Sequence, residues 1–100
     1  MSRAPRPPDS LEIIGLRLRA ARLALGIRTS DFAASVHVAP NTYSQWESGA
    51  RLLDTLAAIR ICETHKLSMD WLFRGDAFVL PAGIVKAVLH HFKALEASHR

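Results

Sequence analysis

Two amides and two aliphatic hydroxyls fall within five residues of this chain, in the stretch Asn41-Thr42-Tyr43-Ser44-Gln45. The amides of Asn41 and Gln45 are suited to bidentate bonding with adenine edges, worth about 1–3 kcal/mol of discrimination each. Of Thr42 and Ser44, one is expected to bond a phosphate and the other to face solvent. Val38, Tyr43 and Trp46 fall on the opposite side if the segment is helical, giving it a closed face and an open one. Such a helix suits the major groove of DNA. Arg51 just beyond it, and Arg28 and Thr29 at the start of the preceding helix, are expected to hold phosphates. A helix N-terminus already favours an anion there.

Other reactive side chains are less well arranged. Cys62 and His65 are three apart on one predicted helix, where a small, buried cysteine is a simpler reading than a nucleophile. His90 and His91 point about 100° apart on a helix, and neither they nor His99 have Cys or acidic partners at ligand spacing. Without a nucleophile–base constellation or a glycine-rich phosphate loop, neither an enzyme nor a cofactor is expected.

One hundred residues bound the chain to one domain, and 49% apolar content allows a core without staples. Ten of its thirteen basic residues are arginine, the base whose planar fork suits phosphates and guanine edges. Residues 1–51 hold seven of them against four acids, but a net charge of +4 is only a mild pointer to nucleic acid. The polar, proline-rich start is no signal peptide, and no apolar run approaches a membrane span. A single cysteine excludes an internal disulfide and fits a reducing compartment. A cytoplasmic protein without a membrane partner is the expectation.

The elements that must position the polar cluster are all helical, since no segment alternates with period two. Residues 1–9, with Pro5, Pro7 and Pro8, form an expected disordered arm whose Arg3 and Arg6 could reach a groove. Asp9-Ser10-Leu11-Glu12 resembles a capping box. Leu11, Ile14, Leu18, Ala21 and Leu25 then mark one apolar stripe of a first helix, which Gly26 ends. A second helix covers 29–36 with Phe32, Ala33 and Val36 inward. His37 falls in a turn that usually needs a left-handed residue. A third helix runs from Pro40 to Ser48 and stops at Gly49. Asp54 caps a fourth, carrying Leu56, Ile59, Ile61, Cys62 and His65. Ser68 caps a short fifth, Met69 to Phe73, closed by Gly75. Residues 77–81 are a linker to a sixth helix over 82–97, where Val85, Val88, Phe92 and Leu95 form a two-heptad seam.

From Ile14 to Gly75 the chain resembles the Cro/C1-type helix-turn-helix family of phage repressors and bacterial regulators. The matching elements are IGLRLRAAR-LALG, Ala33, Val38, NTYSQWESG, Arg51 and SMDWLFRGD, in order and without gaps. The resemblance implies an all-α, five-helix lambda-repressor-like DNA-binding domain over 10–76, with Trp46 and Trp71 in its interior. It also implies a structural ion pair between Arg22 and Glu47, and a dimer on two-fold double-stranded DNA. Three positions depart from the family pattern: Thr29 replaces a glutamine, His37 the turn glycine, and Pro40 a polar residue at the front of the third helix.

The expected function is a sequence-specific transcriptional regulator, a repressor acting as a homodimer, with Asn41, Thr42, Ser44 and Gln45 in the major groove. Residues 77–100 are expected to supply linker and C-terminal helix, the latter a candidate dimerisation element. Two other readings share the fold. One is an antitoxin whose C-terminal helix holds a toxin. The other is a protein-interaction module that has lost operator binding, to which Thr29 and Pro40 point.

Overall fold

The computed structural model describes residues 10–98. The arm with Arg3 and Arg6, and His99, lie outside the described residues. Those described form α1 (Leu11–Leu25), α2 (Thr29–Ser35), α3 (Pro40–Ser48), α4 (Thr55–His65), α5 (Met69–Arg74), a 3-10 turn (Ala77–Val79) and α6 (Ala82–Ser98). The fold is all-α, as expected.

Short polar residues cap the starts of three of the six α-helices, and left-handed residues stop four of them. Ser10 Oγ accepts from Ile13 N, Asp54 Oδ1 from Ala57 N and Ser68 Oγ from Asp70 N. Gly26, Gly49 and Gly75 close α1, α3 and α5 with φ between 72° and 83°. With Ser10 as cap, Ile13 and not Glu12 takes the third helical position. The expected capping-box register is therefore shifted by one residue. His37 adopts φ 59°, as the turn requires, and Lys66 does the same beyond α4.

The single stripe expected of α1 is too narrow. Ile13, Ile14, Leu16, Arg17, Leu18, Ala20, Ala21 and Arg22 are all buried, while Leu11 at one end is exposed. A helix buried on nearly every side is a central one, and α1 is packed by α3, α5 and α6. Gly15 makes the closest approach possible. A Cβ built there would lie 2.4 Å from the Glu47 carbonyl oxygen and 2.7 Å from that of Trp46. The end of α3 therefore rests on the backbone of α1.

The seam of the sixth helix packs on its own domain. Val88 is fully buried, and Val85, Phe92 and Leu95 pack against the core. Trp71 joins the three elements: its Nε1 donates to the Arg17 carbonyl at 3.0 Å, and its ring meets Phe92 edge-on at 5.6 Å. Arg17, itself buried, donates to the Leu72 carbonyl, and burial holds its guanidinium below its ordinary pKa despite the charge of Glu96 on α6. The apolar face of α6 is thus occupied by its own domain.

On α4 the large apolar residues are not all buried. Ala57, Ala58 and Ile61 are buried, whereas Leu56 and Ile59 stand in solvent. Small residues let α4 sit close to the core, which turns the leucine and isoleucine outward. Cys62 is half-buried, and burial pushes its thiol up to about 11, so it is no ready nucleophile.

His65, at the end of α4, stacks on Phe32 of α2 with centroids 4.3 Å apart. The Ser35 hydroxyl hydrogen goes to the Phe32 carbonyl at 2.6 Å, so its oxygen accepts from His65 Nε2 at 2.8 Å. Burial lowers the pKa of this imidazole below its ordinary value. The folded state therefore prefers neutral His65, and its contribution is complete above the unfolded pKa, about 6.5. It falls away as pH drops from there through the lowered folded value. Melting temperature should decline between pH 7.5 and 5.5, and the histidine's share of that decline should vanish in His65→Gln. At Gly15, a methyl group has backbone on its far side. Gly15→Ala should destabilise by about 1–3 kcal/mol by overpacking, read as a lowered denaturation midpoint.

Candidate nucleic-acid interface

The candidate surface is built on α3, whose inner face is fixed before its outer face matters. Tyr43 and Trp46 are buried, with Phe32 and Tyr43 rings 5.2 Å apart and Tyr43 and Trp46 6.1 Å apart. Pro40 begins the helix after Ala39, where a missing N–H costs nothing. The α2–α3 turn is held by Val38 N donating to the Ala33 carbonyl at 3.0 Å and His37 N to that of Ala34 at 3.2 Å.

One polar node ties α3 to α1. Arg22 Nε and Nη2 donate to Glu47 Oε2 and Oε1 at 2.7 and 3.2 Å, a two-pronged pair whose side chains are only 9% and 10% exposed. Arg22 Nη1 also donates to the Ile27 carbonyl at 2.9 Å, fixing the loop that leads into α2. Tyr43 donates to the same carboxylate oxygen at 2.5 Å. The hydrogen bond to Glu47 raises the pKa of Arg22 against the effect of burial. Burial, together with the negative charge of Glu47, holds the Tyr43 phenol far above its ordinary value. No buried side-chain N or O among the described residues lacks a hydrogen-bond partner. Losing either end of the pair would strand the other, at a cost of about 3–5 kcal/mol.

On the outer face Asn41, Ser44 and Gln45 are exposed, and within the described residues their side chains have no bonding partner in the protein. Helical periodicity puts these three and Ser48 within one arc. Ser48 is an exposed position that sequence reasoning passed over. Its hydroxyl donates to the Gln45 carbonyl at 3.2 Å and accepts from Ala50 N at 3.3 Å, so it shapes the helix end. Its place one turn after Ser44 was the signal available.

Thr42 lies away from that arc. It is half-buried and faces a crevice of about 350 Å³ between the α2–α3 turn, α3 and α4, lined also by Val38, Trp46, Leu56, Ala57 and Arg60. Arg60 in turn donates to the Val36 carbonyl at 3.0 Å. Arg51 is exposed just past α3, its N–H bonded to the Gln45 carbonyl at 3.1 Å, which fixes the base of the side chain against the recognition helix. Thr29 opens α2 half-buried. Arg28 is its N-cap residue and pairs with Asp31 at 3.0 Å, an exposed ion pair worth little and easily exchanged for a phosphate.

No group of three His, Cys, Asp or Glu that could hold a metal occurs among the described residues. His90 and His91 contact each other edge to face at 5.5 Å. No described helix is long and apolar enough to cross a membrane.

A family model described as helix-turn-helix matches residues 18–72, more than half of the chain. Neither the curated proteins nor the solved structures gave a match. The matched span runs from the middle of α1 to Leu72 in α5 and contains the whole α2–turn–α3 unit with its left-handed His37. The chain belongs to the Cro/C1-type helix-turn-helix family of DNA-binding transcriptional regulators.

Proposed function

We propose that this protein is a sequence-specific transcriptional repressor, acting in the cytoplasm as a homodimer with α3 in the major groove. The observation that carries the reading is the outer face of α3, where the amides of Asn41 and Gln45 are exposed and uncommitted. An amide bonded within the protein would have to exchange a partner to read a base. These two are ready to bond adenine edges directly. Ser44 stands beside them for a base edge or phosphate. Thr42, turned toward α4, is placed for backbone contact at the edge of the helix.

Arg51, Arg28 and Thr29 hold phosphates on this reading. Arg51 is the strongest of the three, because its backbone is tied to Gln45 and its side chain is free to extend. Two copies would place their recognition helices one DNA turn apart, about 34 Å, and read a near-palindrome. The departures at Thr29 and Pro40 shorten one contact and remove another. Specificity is thereby concentrated on Asn41 and Gln45.

Selection of bound duplexes from a random library with the purified chain tests this directly. Enrichment of a two-fold-symmetric site is expected. A folded protein that enriches nothing would instead be an interaction module on a helix-turn-helix frame. Gln45→Ala should relax specificity at one position, with about 1–3 kcal/mol less discrimination there. Equal loss on every sequence would remove Gln45 from base reading. Arg51→Ala should weaken all duplexes alike and reduce the slope of log affinity against log salt by about one.

A further inference from the structure

The turn between α2 and α3 is held from outside by a residue that belongs neither to the core nor to the outer face of α3. Val36 closes α2 and is fully buried, so its carbonyl oxygen is cut off from water. No backbone N–H among the described residues bonds that oxygen. Its partner is Arg60, which reaches from α4 beside the crevice and donates Nη1 at 3.0 Å. Arg60 itself is an exposed residue. His65 also joins α4 to α2, but at the Ser35 side chain, and leaves this carbonyl alone.

The next residue makes that bond matter. His37 sits at φ 59°, a left-handed value that glycine adopts freely and histidine only at a cost. The Val36 carbonyl and the His37 N–H belong to one rigid peptide plane. Turning that plane over, by about 180°, would carry His37 to an extended φ. Val36, now at φ −115° and ψ 16°, would move to an extended ψ at the same time. Both are ordinary backbone values. A turn without glycine therefore has a relaxed alternative one peptide flip away. Two bonds oppose the flip: Arg60 on the carbonyl side, and on the other side the Ala34 carbonyl, which accepts from His37 N at 3.2 Å.

We propose that Arg60 is the positioning residue of this turn: by holding the Val36 carbonyl it keeps His37 left-handed and so aims the front of α3. The inference rests on the DNA-binding reading. The rear of α3 is fixed on α1 by the close approach at Gly15 and by the Arg22–Glu47 pair. Its front is placed by the turn. A flip breaks the bond between His37 and Ala34, and Asn41, four residues on, loses its place before Gln45 does. Without Arg60 the buried oxygen would also have no donor, which adds to the pull toward the flipped turn.

Two measurements on the full chain test this. The first is the NMR cross-peak between the amide and α protons of residue 37 in the free protein, which is strongest at positive φ. It should be strong in the unaltered chain and in Arg60→Lys, whose ammonium can still donate. In Arg60→Met it should fall to the level of an extended residue. An unchanged cross-peak in Arg60→Met overturns the proposal.

The second uses the duplex recovered by selection. Arg60→Met should lose about tenfold in affinity, as for one lost base contact, and blur the base position that Asn41→Ala also blurs. The slope of log affinity against log salt should not change. Adding His37→Gly, which removes the pull toward an extended φ, should restore most of the affinity lost in Arg60→Met. A slope reduced by about one would make Arg60 a phosphate contact instead. Either that result or a failure of the glycine to rescue overturns the proposal. If no duplex is selected, the operator reading fails, and the cross-peak alone decides whether Arg60 holds the turn.

Discussion

The orientation of the recognition helix depends on a contact that is half steric and half ionic. At Gly15 the backbone of α1 touches the carbonyls of Trp46 and Glu47, and one helical turn closes against the other with no side chain between. A few ångströms further along, the Glu47 side chain turns back to Arg22 and Tyr43. Close approach sets the distance between the helices, and the ion pair sets their rotation. Neither would suffice alone. Packing of small residues leaves helices free to slide, while a buried ion pair without close packing admits water and weakens. Through Ile27 the same arginine also fixes the entry to α2, so both halves of the helix-turn-helix take their placement from α1.

Burial on almost every side gives α1 its authority over the rest. It is the axle on which α3, α5 and α6 are mounted. Trp71 couples α5 to it through the Arg17 carbonyl and to α6 through Phe92. The exposed side chains of α3 are thus carried on a helix that is itself packed on α1 and α2. A groove-reading helix needs both a backbone held to well under an ångström and side chains that spend no energy breaking internal bonds.

Most of the architecture was legible because its signals are local. Ser10, Asp54 and Ser68 announce helix starts, and Gly26, Gly49 and Gly75 announce ends, to within a residue or two. The buried aromatics Phe32, Tyr43, Trp46 and Trp71 were also recoverable, as was the Arg22–Glu47 pair through the resemblance. What could not be read was which face of a helix wins when more than one is apolar. Along α1 the sequence supports several stripes at once, and only the arrival of α6 shows that nearly all of them are used. On α4 the sequence offers Leu56, Ile59 and Ile61 alike, and the structure buries Ile61 beside Ala57 and Ala58 while leaving the other two exposed. Thr42 illustrates a finer limit. Its type matches its neighbours Asn41 and Ser44, yet its place on the helical arc turns it toward α4. Residue type alone did not distinguish them, whereas the 100° step between successive residues does.

The pairing of α1 with α6 also bears on how the protein is made. Among the described elements the earliest helix to be synthesised is the one most completely enclosed, and the helix that covers it is the latest. At ordinary elongation rates of about 5–20 residues per second, the interval between them is on the order of several seconds. During that time α1 lacks the part of its cover that α6 provides. Completion of the core is therefore an act of chain closure between α1 and α6.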